Sequence, residues 1–305
     1  MIQGLLFTFR EFGTAKSKRG SRIVSGNRTV PEPEKLSTRQ FEAFRDFIYE
    51  ISGIRMDASK ITLVSNRIRR RLRAGDFADF DAYYRHLTSP KGTAELEQFL
   101  DAITTNETHF FRTPAHFEWF RTEFISEMIL RERKGEGKKE IRVWSAACST
   151  GEEVYSLAIN LAENNLRLRD WKCSIIGTDI SESVVREARV GTYKQKALED
   201  VTPVQLRRYF EENGEGESWT IRQPVRDLVD FRGHNLMEGL FFNRFDCVFI
   251  RNVLIYFDRE SKKVVIKHLI NALAPGGYLV VGPSEGIYDM LDPLVKRSAF
   301  LYQKA

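Results

Sequence analysis

Cysteine is scarce in this sequence. Its 305 residues hold three, Cys148, Cys173 and Cys247, odd in number and widely spaced. That spacing argues against a disulfide framework and for a reducing compartment. The five histidines form neither H-x3-H nor H-E-x-x-H, so no metal is expected. No apolar run approaches the roughly 20 residues that span a bilayer, so no membrane insertion is expected. The opening "MIQGLLFTFREF" has no basic residue before its apolar run and no small-residue cleavage site, so the expected location is the cytoplasm. An excess of either charge is also lacking, with 47 Lys and Arg against 42 Asp and Glu. A net charge of +5 hints at an acidic partner without demanding nucleic acid.

What is present divides the chain. Residues 1–36, rich in Gly, Ser, Lys and Pro, read as a flexible tail. Its apolar start is consistent with an interfacial helix or, more simply, a frayed end. From Ser37, "STRQFEAFRDFIYEISGI" places Phe41, Phe44, Ile48 and Ile51 at helical spacing, and Gly53 stops the helix. A second helix carries Ile61, Val64, Ile68 and Leu72 on one stripe, with Arg67, Arg70, Arg71 and Arg73 on its other faces. Two more helices complete an all-α domain over 37–112. Residues 113–140 are a connecting helix and linker, with Thr113 as N-cap and Pro114 in the first turn.

Over 141–305, strands alternate with helices, which implies an α/β domain with a mostly parallel sheet covered on both faces. The terminal "VKRSAFLYQKA" reads as a last, antiparallel strand. Residues 191–235 are too long for a plain connection. Their helix, Gly-rich turn and strand-like pieces predict a small β-containing insertion.

The first strand-to-helix turn, "WSAACSTGEEVYS", has one glycine, Gly151, followed by Glu152 and Glu153. Helix N-termini favour anions, and two carboxylates there would repel a pyrophosphate and suit a cationic ligand. The second strand ends at Asp179, where an acidic residue commonly binds ribose hydroxyls. Ribose, ammonium and no phosphate together describe S-adenosylmethionine. Taken alone, the glutamates are more simply read as first-turn residues complementing the helix dipole. Asp179 is equally consistent with an N-cap, and Arg251-Asn252 with an ordinary polar strand end.

Five blocks carry a closer resemblance: "ITTNETHFFR" (103–112), "VWSAACSTGEEVYSLA" (143–158), "DIS" (179–181), "FIRNVLIYFD" (249–258) and "LAPGGYLVVGPSE" (273–285). In order and content, from residue 37 onward, they resemble the chemotaxis receptor glutamate O-methyltransferases of the CheR type. The resemblance implies a class I methyltransferase, Rossmann-like, with an all-α N-terminal domain and an inserted β-subdomain. It implies cofactor contacts at Asn106, Thr108, Arg112, Glu153, Asp179, Asn235, Leu236, Arg251 and Asn252. Asp179 would hold ribose, Glu153 the methionine ammonium, and Asn235 with Leu236 would meet adenine.

Arg112 and Tyr256 would stand near the transferring methyl as the catalytic pair. The substrate implied is a glutamate on the cytoplasmic helices of chemoreceptors, approached by Arg67, Arg70, Arg71 and Arg73. A monomeric enzyme is expected. Some members tether to a receptor C-terminal peptide through the β-subdomain. The compact "ENGEGESW" turn leads us to expect no tethering here. After the fourth strand "RNVLIYF" replaces the (Asp/Asn)-Pro-Pro-(Tyr/Phe) motif of amino-directed nucleic-acid enzymes, so nucleic acid is not expected. The alternatives are a methyltransferase for another substrate and a non-catalytic cofactor-sensing scaffold.

Overall fold

Ser37 starts the first helix with a reciprocal cap. Its hydroxyl accepts from Gln40 N at 3.3 Å while Ser37 N donates to Gln40 Oε1 at 3.0 Å, satisfying two otherwise orphaned groups. The structure is a computed structural model that describes residues 35–239 and 244–305. The tail expected over 1–36 lies, through residue 34, outside the described residues. Leu36 does not belong to a tail. It is buried, and its N–H donates to Ser65 Oγ at 3.3 Å.

Four helices follow: α1 (Thr38–Ser52), α2 (Ile61–Ala74), α3 (Phe80–Leu87) and α4 (Thr93–Ile103). Gly53, at φ 71°, ends α1 in the left-handed region, where glycine carries no side-chain penalty. Phe44, Tyr83 and Phe99 meet between these helices. Next, α5 (Pro114–Trp119), a π-helical segment (Phe120–Phe124) and α6 (Ile125–Arg133) run on without a break. Thr113 takes the N-cap position as expected, but without a side-chain cap. It sits at φ 65° and makes no side-chain cap bond, and only its carbonyl is used, by His116 N.

The rest is β1 (Glu140–Ala146), α7 (Glu152–Glu163), β2 (Lys172–Asp179), α8 (Glu182–Val190), β3 (Thr192–Tyr193), α9 (Pro203–Tyr209), β4 (Phe210–Asn213), β5 (Ser218–Ile221), α10 (Gln223–Arg226), β6 (Val229–Gly233), β7 (Phe245–Ile250), α11 (Arg259–Ala272), β8 (Leu273–Val281), β9 (Leu294–Lys296) and β10 (Leu301–Lys304). The main sheet has the order β6-β2-β1-β7-β8-β10-β9. β6, β2, β1, β7 and β8 are parallel, and β10 is antiparallel to both its neighbours. The small sheet is β3-β5-β4. β6 pairs with β2 in the main sheet, so the tail of the expected 191–235 insertion is a main-sheet strand. The inserted strands end at Ile221.

Both faces of the main sheet are covered. Ile141 and Val143 of β1, with Cys247 and Phe249 of β7, join a core that includes Phe117, Phe120 and Leu157. Trp144, Ala146, Val248 and Ile250 face the other way and join Leu269 of α11 and the interior of the helical domain. That is the period-two alternation of a sheet buried on two sides. Residues just beyond the carboxyl ends of β1, β2, β6 and β7 share a cavity with residues of the helical domain. Among the described residues no helix is long and apolar enough to cross a membrane.

Candidate active site

The turn after β1 is unusually constrained. Ala147, Ser149 and Gly151 all have positive φ, at 62°, 50° and 93°. A Cβ on Gly151 would lie 2.9 Å from Ala188 Cβ and 3.1 Å from the Phe231 ring, so glycine is required there on both counts. Four bonds hold the turn in this shape. Cys148 N donates to Thr178 O at 2.9 Å and Ser149 N to Asp179 Oδ2 at 2.9 Å. Ser149 Oγ donates to Asn106 O at 3.0 Å, and the Tyr193 hydroxyl of the inserted sheet donates to Thr150 O at 2.7 Å.

The two glutamates of this turn point apart, because successive helical residues are turned by roughly 100°. Glu152 is buried away from the cavity and accepts from Thr150 Oγ1 at 2.7 Å. Burial raises its pKa. Only Glu153 faces the cavity, accepting from Ser145 Oγ at 2.8 Å and pairing with Arg251 at 2.8 Å. The expectation that both carboxylates face a ligand is corrected by this geometry. The cavity offers an adjacent minus and plus, the complement of an amino-acid zwitterion, and not an anionic bowl.

Asp179 closes β2. Its Oδ1 accepts from Ser181 N at 3.0 Å and its Oδ2 from Ser149 N. Desolvation raises its pKa, and the backbone N–H bonds oppose the shift. It is not the N-cap of α8. Ser181 is, accepting from Val184 N at 3.3 Å and donating to Asp101 Oδ1 at 2.5 Å.

The loop 104–112 lies over this edge. Phe110 is fully buried, with its ring edge-on to Tyr193 and Phe210 and its N–H on Ala197 O at 2.9 Å. Burying one such ring contributes ~1.5–3 kcal/mol, which anchors the loop. Phe111, at φ 54°, donates its N–H to Ser156 Oγ at 2.9 Å. Asn106 and Thr108 line the cavity, and Arg112 Nη1 donates to Glu107 O at 3.0 Å.

From the opposite side, Asn235 Nδ2 donates to Ile51 O at 2.8 Å and its Oδ1 accepts from Met237 N at 3.1 Å, with Leu236 buried beside it. Arg251 lies over the Phe117 ring, 5.5 Å from its centroid, and also donates to Arg112 O. Its Nε has no hydrogen-bond partner among the described residues. Asn252, at φ 58°, and Tyr256, 38% exposed, complete the wall and mouth.

The cavity so formed is about 440 Å³, within the size range of small-ligand sites. Every residue expected at the cofactor or the methyl group lines it. The four arginines expected to meet a receptor do not stay together. Arg67 is in the cavity wall, donating to Ile103 O and, at 3.0 Å, to Thr105 Oγ1, and burial lowers its pKa. Arg71 is occupied by a two-pronged bond to Glu95, both arms 2.9 Å, which Tyr83 also joins at 2.8 Å. That removes it from the expected docking set. Arg70 and Arg73 are exposed. Ser145, Tyr193 and Glu285 support the site without having been singled out. The only sequence signal for Glu285 is its place at the end of the block 273–285.

Known proteins resemble this chain along most of its length. A family described as "CheR methyltransferase, SAM binding domain" matches residues 106–299, and "CheR methyltransferase, all-alpha domain" matches residues 39–104. The chain is 35% identical over 257 residues to Chemotaxis protein methyltransferase 1 of Pseudomonas aeruginosa, covering 83% of this chain and 92% of that one. It is 36% identical over 271 residues to the Chemotaxis protein methyltransferase of Salmonella typhimurium, covering 88% and 90%. The match to the Chemotaxis protein methyltransferase of Escherichia coli is 37% identical over 254 residues, covering 82% and 85%.

Proposed function

The chain belongs to the CheR methyltransferase family, and from that premise we propose that it methylates glutamate side chains of chemoreceptor proteins, giving methyl esters for adaptation in chemotaxis. S-adenosylmethionine, the family's cofactor, supplies an electrophilic methyl group on its sulfonium. The residues present fit it. The cavity has nucleoside size, Asp179 ends the second strand, and the Glu153–Arg251 pair, with Arg251 Nε unpartnered among the described residues, suits an amino-acid end.

In this reading Asp179 accepts the ribose hydroxyls and Glu153 the ammonium. Asn235 and Leu236 flank the base, while Asn106, Thr108, Arg112, Arg251 and Asn252 complete the cofactor wall. An acceptor glutamate, with an ordinary pKa of about 4.3, is already ionised near neutral pH, so no general base is assigned. What remains is positioning and the exclusion of water. Arg112 orients the acceptor carboxylate, Tyr256 shapes the methyl site and loop 104–112 covers it. Arg67, with Arg70 and Arg73 beyond it, favours an acidic helix at the mouth.

One observation carries the proposal. Residues from four sequence blocks and the segment after β6 converge on one cavity whose lining also includes Arg55, Lys60 and Arg67 of the helical domain. Labelled methyl from S-adenosylmethionine should pass to receptor-enriched membranes and return as methanol on mild base treatment. A base-stable label would point to N-methylation and end the glutamate assignment. Arg112→Ala should lose turnover out of proportion to cofactor affinity.

A further inference from the structure

Glu285, just beyond β8, is fully buried and does not line the cavity. Oxygens of its carboxylate accept from Asn252 N and, at 2.8 Å, from Leu254 N, and Val253 N–H is a further donor. Successive N–H groups converging on one point form an anion-binding nest. Here the chain fills that nest with its own carboxylate. A fully buried carboxylate is held only when it is bonded this completely.

Neighbouring features are built around this contact. Gly282 leaves room for it, since a Cβ there would collide with Glu285 Oε1 and lie 3.2 Å from Asn252 N. Lys262 of α11 donates from Nζ to Glu285 O at 2.7 Å, fixing the segment from behind. On the far side, Arg55 N donates to Tyr256 O at 2.9 Å, beside an isolated bridge between Ile54 and Phe257. The loop that holds Asn252 in the left-handed region and sets Tyr256 at the mouth is thus gripped from both sides.

We infer that Glu285 is a positioning residue for methyl transfer: its carboxylate fixes the 252–256 loop, and through it Asn252 and Tyr256. It touches neither cofactor nor acceptor. The inference rests on the proposed roles of Asn252 and Tyr256.

Glu285→Gln puts an amide N–H against one of the backbone donors at nearly unchanged volume. In the full chain with S-adenosylhomocysteine bound, amides of 251–257 should exchange with deuterium at least about tenfold faster, with 143–158 unchanged. Turnover should fall at least about tenfold while the Kd for S-adenosylhomocysteine stays within about threefold. In a Tyr256→Phe background the same substitution should cost less than about threefold further, because both changes act on one loop. Gly282→Ala, which alters no ionisable group, should reproduce the exchange pattern by displacing the carboxylate.

Unchanged exchange over 251–257 in Glu285→Gln would overturn the inference, as would equal losses of turnover in both backgrounds. Should the unsubstituted chain form no ester at all, the receptor-glutamate reading falls. The exchange result then decides the role of Glu285 by itself.

Discussion

Glu153 Oε2 and Arg251 Nη1 meet at 2.8 Å, with side chains only 14% and 3% exposed, across 98 residues of sequence. Each supplies the countercharge for the other's burial, beside Ser145 on Glu153 and Arg112 O on Arg251. Removing one partner of such a pair leaves an uncompensated charge and costs ~3–5 kcal/mol. Arg251→Met should lower cofactor-free stability by that amount in urea denaturation. The double variant Glu153→Leu/Arg251→Met should regain at least half of the loss and still bind no S-adenosylhomocysteine by calorimetry. A double variant as unstable as the single one would show that the pair is not the source of the cost.

Asp179 carries a pH signature. Burial raises its pKa above its ordinary 3.8, so the folded chain binds a proton more readily than the unfolded one. The stability Asp179 contributes is therefore fully present below pH 3.8 and is lost as pH rises through the raised folded value. The stability of the parent chain relative to Asp179→Asn should fall as pH is raised from about 4 to 7, measured by denaturation without cofactor. A difference that rises over that range would contradict this. The same substitution should weaken S-adenosylhomocysteine binding by ~1.5–3 kcal/mol, the worth of a charged hydrogen bond.

Arg71 and Arg73 lie two positions apart on α2 and should behave differently. Arg71→Ala strands the Glu95 carboxylate and the Tyr83 hydroxyl, so it should cost ~2–3 kcal/mol of folding stability. Arg73, fully on the surface, should leave the melting temperature alone. Its removal should slow association with receptor in a salt-dependent way, by ~1 kcal/mol or less. Thermal melts and association rates at two ionic strengths separate the two.

Gly151→Ala should be severe. It forces a side chain into φ 93° and against Ala188 and Phe231. Left-handed strain of ~1–3 kcal/mol adds to overpacking of similar size. A loss of about 2–6 kcal/mol in denaturation, with loss of cofactor binding, is expected. A variant as stable as the parent would mean that the turn relaxes elsewhere.

Much of this was legible in one dimension because it is periodic or local. The apolar stripe of α2, the cap at Ser37, the stop at Gly53 and the strand runs of β1 and β7 depend on neighbours within a few residues. The quoted blocks were legible as well, and residues of four of the five line one cavity, while 273–285 lies behind it. Less legible was direction. Glu152 and Glu153 look alike in the sequence, yet one rotation step sends the first into the protein and the second into the cavity. Thr113 reads as a cap by composition and holds the N-cap position, but at a left-handed φ it makes no side-chain cap bond. The third strand merged with the insertion because its short, polar-edged pattern matches the inserted strands.

The sequence by itself determined where most helices and strands form and that the sheet is mostly parallel, because those follow from spacing and residue type. Glu153 and Asp179 stood out at the carboxyl edge by their position, and the other residues expected there came from the resemblance of the quoted blocks. Only the tertiary structure decided the partners. Arg251 goes to Glu153, Arg71 to Glu95, and Glu285 to the backbone of 252–254. Pairing between distant groups is set by which desolvated charge can reach which donor once the layers close, and no local pattern encodes that distance.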